Sequence, residues 1–294
     1  MGAEFVRDAP SQFNDSLMGD RRNPTPESFD VLAPDGYLHA MLVRTNRPVA
    51  PNSGDTPAET VRLEWNIGVE APHTTLSELL MGASSEIAAR GGGLVTWWRA
   101  GATRADDHIA ARAGFTRDRE QYQLRVSLPI SFDPQHAPMP NITTFSSDTD
   151  AEAWLVANNA AFRTHPEQSG WDMLALRQRM EEPWFDPELF LVARDEPDGP
   201  IIAFNWLKIH DANTYIGEPR LGEIYVIGVT PEAQGRGLGY SLAGLGLRAL
   251  HVRGISTAML YVAADNHNAI ALYRRLGFTV HRTDAAYCAT VTAI

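Results

Sequence analysis

Cysteine is almost absent: Cys288 is the only one in 294 residues. One thiol builds no disulfide framework and leaves no cysteine cluster for zinc. In the strand-like stretch 287–291 it reads as a small buried apolar side chain. Long apolar runs are absent too. No segment approaches the ~18 consecutive apolar residues of a membrane helix, and residues 1–8 lack the pattern of a secretory signal, so a cytoplasmic protein with no membrane partner is expected. Basic charge is outweighed. A formal net charge of −11 argues against a nucleic-acid partner, whose backbone demands clustered Lys and Arg, and is compatible with an amine-bearing substrate. The nine histidines are scattered singly with no metal-ligand spacing, so no metal is expected. What the chain does have is 44% hydrophobic residues, enough for two cores.

The most informative stretch is an apolar strand, Glu223-Ile224-Tyr225-Val226-Ile227-Gly228-Val229, that runs through Pro231 into Gln234-Gly235-Arg236-Gly237-Leu238-Gly239. Glycines at such a strand-to-helix turn let several backbone N–H groups converge on an anion at the positive end of the following helix. That helix is marked by Leu238, Leu242, Leu245, Ala249 and Val252 at three- and four-residue steps, with Gly254 at its stop. The loop has neither the Lys-Ser/Thr pair of a P-loop nor the G-x-G-x-x-G spacing of a dinucleotide fold. Gly239-Tyr240-Ser241-Leu242-Ala243 nearly spells G-x-S-x-G, but its serine falls inside the helix, which sets a hydrolase aside. Downstream, a strand at 258–262 leads to Asp265-Asn266, then a short helix at 268–276 closed by Gly277-Phe278.

Gln234-x-x-Gly237-x-Gly239, with this order of elements after it, resembles the Gcn5-related N-acetyltransferase family. The resemblance implies a mixed α/β fold, a mixed sheet with flanking helices, and acetyl-coenzyme A as co-substrate. Carried over residue by residue, it places the pantetheine beside Ile227, Gly228 and Val229. The pyrophosphate falls at Gln234, Gly235, Arg236, Gly237, Leu238, Gly239 and Tyr240. Further cofactor contacts fall at Asn266, His267, Asn268, Ala269, Ile270 and Ala271. Glu223 matches the catalytic base and Tyr273 the acid that protonates the departing thiolate. Period-two alternation puts Glu223 on one face with Tyr225 and Ile227. Without the resemblance, Glu223 reads as a solvated strand end and Tyr273 as a packed aromatic.

The prolines of 133–140 mark a linker between residues 1–132 and 141–294. The halves echo each other: Ile67-Gly68-Val69 with Ile227-Gly228-Val229, and Ala105-Asp106-Asp107-His108 before Gly114-Phe115 with Ala264-Asp265-Asn266-His267 before Gly277-Phe278. Residues 72–81 hold no glycine until Gly82, so the first copy has no cofactor loop. From Asp106 to Gly114 is also about one helical turn shorter than from Asp265 to Gly277, and the missing turn is expected to be the one that carries Tyr273. Two tandem acetyltransferase-type domains are therefore expected, the first degenerate and scaffolding the second. Gly91-Gly92-Gly93 is expected to end a helix, not to bind phosphate.

The segments 158–162, 165–171, 184–187 and 204–210 resemble the branch of that family whose acceptor is cysteinyl-glucosaminyl-inositol. The resemblance implies that Glu167, Lys208, Tyr261 and Glu223 line the acceptor site of a monomeric enzyme. For the first three, a helix cap, a solvated strand residue and a core aromatic are the plain alternatives. The rival functions are acetylation of another amine, such as a protein N-terminus, and a coenzyme A sensor without turnover.

Overall fold

The computed structural model describes residues 76–132, 140–163, 170–212, 214 and 217–294 in full, and 27–33, 36–45, 60–63 and 73–75 as backbone. The described residues fall into two compact units. One is drawn from Gln123–Val262 and Asn266–His281; the other from the residues up to Tyr122, with Ala263–Asp265 and Arg282–Ile294. Of the proline-rich stretch 133–140, only Pro140 lies within the described residues.

In the N-terminal unit, strands β1 (Glu27–Ala33) and β2 (Gly36–Thr45) form an antiparallel hairpin, and β2 pairs antiparallel with β3 (Thr60–Leu63). Helix α1 (His73–Ala89) then crosses to β4 (Gly93–Arg99), which lies parallel to β3. The triple glycine ends α1 as expected: Gly92 has φ 72° and its N–H donates to the Ile87 carbonyl at 2.9 Å. Helix α2 (Arg104–Arg112) and strand β5 (Thr116–Ser127) follow. The end of the chain, in strand β11 (Thr279–Val291), pairs antiparallel with β4. Leu79, Leu80 and Ile87 of α1 pack there on Val95, Trp97, Phe115 and Tyr287, and the Trp97 and Tyr287 rings stack at 5.0 Å.

The C-terminal unit contains β6 (Asn141–Thr144), α3 (Ser147–Ala161), α4 (Met173–Met180), β7 (Phe190–Arg194), β8 (Ala203–His210), β9 (Leu221–Val229), α5 (Leu238–Val252), β10 (Thr257–Ala263) and α6 (His267–Arg275). Its sheet runs in the order β5-β10-β9-β8-β7-β6, antiparallel from β6 to β9 and parallel between β9 and β10. This is the expected mixed sheet with flanking helices. One face carries an aromatic layer centred on Trp154 of α3, whose ring meets those of Trp171, Phe190, Phe204 and Trp206 edge-on.

The other face carries α5, and it is buried more widely than its apolar stripe predicts. Gly244 and Gly246 are buried and leave no room for a side chain, since a Cβ there would stand 2.3 Å from Phe132 and 2.4 Å from Asn205, whereas Val252, placed in the stripe from sequence, is 77% exposed.

The echo between the halves survives, with one correction. Helices α2 and α6 are both nine residues long, so no turn is missing from the first copy. Asp106 lies inside α2, three residues after its N-cap Thr103, whereas Asp265 precedes α6 altogether. Both helices end through the same hydrogen bonds: Phe115 N–H to Ala110 and Gly114 N–H to Ala111 in one, Phe278 N–H to Tyr273 and Gly277 N–H to Arg274 in the other. Ala110 thus stands where the second copy has Tyr273.

Asp106 is buried and accepts hydrogen bonds from Thr103 N–H (2.8 Å), Thr103 Oγ1 (2.7 Å) and Arg99 Nε (2.9 Å). Burial alone pushes its carboxyl up, but the Thr103 hydrogen bonds and the Arg99 guanidinium together hold it below the usual carboxylate range. Its stabilising contribution is therefore present above the unfolded pKa of ~3.9 and is lost as pH falls through the lower folded value. Asp106→Asn is expected to cost about 1–3 kcal/mol near neutral pH and to flatten the acid limb of stability against pH. Denaturant melts across that range would expose the idea as wrong if the two proteins lost stability in parallel.

Candidate active site

Strand β9 is irregular at its middle. Lys208 of β8 stands opposite Glu223, and Leu207 opposite Ile224, but the next pair is Trp206 with Val226. Tyr225 is therefore an extra residue, a β-bulge, and the alternation of faces changes phase there. The shared face expected from regular alternation is corrected accordingly. Glu223 and Tyr225 lie on the aromatic side with Lys208 and Trp206, whereas Ile227 turns to the α5 side and packs near Leu238 and Leu242.

The ladder between β9 and β10 stops at the same level. Its parallel register contains Ala258 with Gly222 and Met259 with Glu223, although β9 runs on to Val229 and β10 to Ala263. Beyond Glu223 the two strands no longer pair, and the peptide groups of β9 on that side are not in the ladder with β10.

At the end of β9 the chain makes one 3-10 turn, Pro231–Ala233, and enters the glycine loop. Gly235 (φ 77°) and Gly237 (φ 80°) are both left-handed, a conformation that costs other residues roughly 1–2 kcal/mol. Gly237 is the N-cap of α5 and brings no side chain to bond the first-turn N–H groups, which leaves the positive end of a 15-residue helix for an anion. Gln234, Gly235, Arg236 and Gly237 are exposed. Leu238 is buried at 2% exposure in the core under α5, so only its backbone faces the loop. The Arg236 guanidinium is held by the Asp195 carboxylate, with one bond of 3.0 Å. Tyr240 lies beneath the Arg275 guanidinium at 4.6 Å. Gly239 stands against Leu272, and Gly228 has a packing reason of its own, since a Cβ there would lie 2.5 Å from Phe204.

Glu223 is 2% exposed and Lys208 3%, so neither is a solvated strand residue. The carboxylate Oε2 of Glu223 lies 2.7 Å from His210 Nε2. Lys208 is the only lysine of the chain. Its ammonium sits 4.6 Å from the Trp184 ring centroid and 6.0 Å from that of Tyr225, within cation–π range. Tyr261 accepts a 2.7 Å hydrogen bond from Gln123 Nε2; Gln123 in turn accepts from Arg125, which grips both oxygens of Glu218.

On α6, Tyr273 is buried with its ring 5.7 Å from Phe278, and burial pushes its hydroxyl well above the ordinary phenol range. Asn266 caps α6, its side chain accepting from Ala269 N–H at 3.1 Å. His267, Asn268 and Ala271 are exposed, Ala269 is half-buried and Ile270 is buried. Glu167 lies outside the described residues.

Sequence reasoning missed His210, Trp184 and Gln123 as neighbours of these groups. His210 was within reach of it: two residues after Lys208 on one strand, it shares the face of Lys208. Trp184 lies in the segment 184–187 that carries the resemblance, but neither it nor Gln123 was marked from sequence as a neighbour of these groups, because both come from distant segments. What results is a buried carboxylate hydrogen-bonded to an imidazole, on the strand that leads into a glycine loop at the uncapped start of α5.

Residues 153–278 match the acetyltransferase (GNAT) family model. A mycothiol acetyltransferase of Streptomyces avermitilis is 38% identical over 267 residues, covering 86% of this chain and 80% of that protein. One from Streptomyces bingchenggensis is 47% identical over 195 residues, 65% of this chain and 61% of that protein, so the chain spans about three fifths of the length of such a relative. Among solved structures, a tandem GNAT protein from the clavulanic acid biosynthesis pathway aligns with a TM-score of 0.64 at 17% identity over 98% of this chain and 90% of that chain. At that identity the likeness shows the fold.

Gly228→Ala is expected to destabilise the protein by about 1–3 kcal/mol through overpacking on Phe204. An unchanged denaturant midpoint would mean that this close approach does not require a glycine.

Proposed function

We propose, on the premise that this chain belongs to the acetyltransferase (GNAT) family and within it to the mycothiol acetyltransferases, that it transfers an acetyl group from acetyl-coenzyme A to the cysteinyl α-amine of cysteinyl-glucosaminyl-inositol, giving mycothiol. The observation that carries the reading is Glu223. It is a buried carboxylate, hydrogen-bonded to His210, at the level where the ladder between β9 and β10 ends.

The residues present fit acetyl-coenzyme A. The left-handed Gly235 and Gly237 and the uncapped start of α5 suit its pyrophosphate, with Gln234, Arg236, Leu238, Gly239 and Tyr240 completing the loop. The β9 backbone at Ile227, Gly228 and Val229 lies beyond the end of the ladder with β10, and Asn266 to Ala271 form the start of α6. Bound there, the co-substrate supplies an activated acetyl thioester.

An α-amine titrates at ~7.7–8.0 and must be neutral to attack, so a modest base suffices. Glu223 takes the proton, directly or through a water. Tyr273 carries a hydroxyl that burial keeps protonated at neutral pH, and it delivers that proton to the sulfur of the departing thiolate. The peptide N–H groups of β9 beside the bulge oppose the oxygen on which charge gathers. Lys208, Tyr261 and Glu167 receive the polar acceptor. The N-terminal unit, with Ala110 in the tyrosine's place, acts as scaffold. The enzyme works as a cytoplasmic monomer and needs no metal.

The decisive assay is thiol release from acetyl-coenzyme A with cysteinyl-glucosaminyl-inositol against a simple peptide amine, released coenzyme A being separated from the acceptor's own thiol. Turnover on the glycoside alone is expected. Turnover only on the peptide removes the acceptor assignment, and release with neither acceptor would leave a coenzyme A sensor. Glu223→Ala should lower turnover by ~10²–10⁴ while leaving acetyl-coenzyme A affinity nearly intact; an unchanged rate takes Glu223 out of the mechanism. Gly237→Val should raise the acetyl-coenzyme A KM, because the cap position needs a left-handed backbone and close approach. Unaltered cofactor affinity in that variant would misplace the pyrophosphate.

A further inference from the structure

Trp206, Lys208 and His210 alternate along β8 onto one face, and Lys208 is the direct cross-strand neighbour of Glu223. Glu223 nevertheless bonds diagonally, to His210, one position further along the same face. Both side chains are buried: Glu223 at 2% and His210 at 6% exposure. A polar group so placed needs hydrogen-bond partners in place of the water it has lost. A carboxylate that serves as base can only accept, so on the reading of Glu223 as the base the 2.7 Å contact between Oε2 and Nε2 puts a hydrogen on the imidazole Nε2. A bond of that length, between two buried side chains, holds the carboxylate in one orientation.

We infer that His210 is a positioning residue for the acetyl transfer: its Nε2–H holds the Glu223 carboxylate in the orientation from which it takes the proton of the acceptor amine. The inference rests on the reading of Glu223 as the base. The balance is simple. One proton leaves the amine nitrogen for Glu223 as the N–C bond to the acetyl group forms; the acetyl C–S bond breaks and the departing coenzyme A thiolate takes its proton from Tyr273; His210 gains and loses none and stays hydrogen-bonded throughout.

The test compares two amides that differ in reach. Gln carries its Nε2 near the place of the histidine Nε2, whereas Asn stops about one methylene short while filling much of the same space. Wild type, His210→Gln, His210→Asn, Glu223→Ala and the double variant His210→Asn with Glu223→Ala are assayed with acetyl-coenzyme A and cysteinyl-glucosaminyl-inositol. Thermal melts and calorimetric titration with acetyl-coenzyme A accompany each. His210→Asn is expected to lower kcat about 10–100-fold with the acetyl-coenzyme A affinity within about twofold, and His210→Gln to recover most of that loss. Added to Glu223→Ala, the Asn change should cost nothing more, because no carboxylate remains to be held.

Wild-type kcat in His210→Asn would overturn the inference. So would equal losses in the Asn and Gln variants with melts like wild type, or a loss that adds in full to that of Glu223→Ala; each would assign His210 a packing role. If Glu223→Ala itself turned over at the wild-type rate, the reading of the base would fall and the inference with it. That outcome is told apart by a variant that leaves His210 in place.

Discussion

One extra residue in one strand governs the geometry of the C-terminal unit. Tyr225 interrupts the ladder between β8 and β9, and everything before it on β9 faces opposite to what regular pairing would give relative to everything after it. Glu223 therefore looks into the aromatic layer, while Ile227 and Val229 anchor the end of the same strand against α5. Bulges also sharpen local twist, and the parallel ladder to β10 ends level with Glu223. A carboxylate, the end of a strand ladder and the approach to the glycine loop are thus set within a few residues of one another by a single irregularity.

The aromatic layer makes that placement consequential. Trp206 stacks on Phe190 at 4.4 Å, and Trp184 meets Tyr225 at 5.0 Å, so the groups beside them sit in surroundings of lower dielectric constant than water. Buried charges there are costly unless they are paired or hydrogen-bonded. The residues answer this requirement in different ways: Glu223 through His210, Lys208 through the faces of Trp184 and Tyr225, and Tyr261 through the chain Gln123, Arg125 and Glu218. The same low dielectric that makes these partnerships necessary strengthens any interaction with a substrate amine.

The two copies separate fold from chemistry. Helices α2 and α6 have the same length and stop by the same hydrogen bonds, yet one presents Ala110 where the other presents Tyr273. Retaining the helix stop keeps the packing of Phe115 and Phe278, which are both buried, and that is a demand of the core. Tyr273 packs on Phe278, but the same helix stop forms around Ala110 in the first copy, so that architecture does not require the tyrosine.

The sequence by itself determined the features whose cause is local. Left-handed glycines at 235, 237, 254 and 277 mark a loop and two helix ends because only glycine adopts that backbone freely, and helix periodicity with Gly92 placed α1 and its stop. The resemblance carried by those motifs then pointed to Glu223, Lys208, Tyr261 and Tyr273. Tertiary structure decided what depends on strand register: the bulge at Tyr225, the opposite faces of Glu223 and Ile227, the pairing of Glu223 with His210, and the burial of Gly244 and Gly246 under Phe132 and Asn205. The offset that made α2 look one turn short is of the same kind, since similar residues occur inside one helix and ahead of the other. The physical reason is that a one-residue slip between strands turns a side chain from one core to the other, and the contacts that choose the register join residues far apart in the chain.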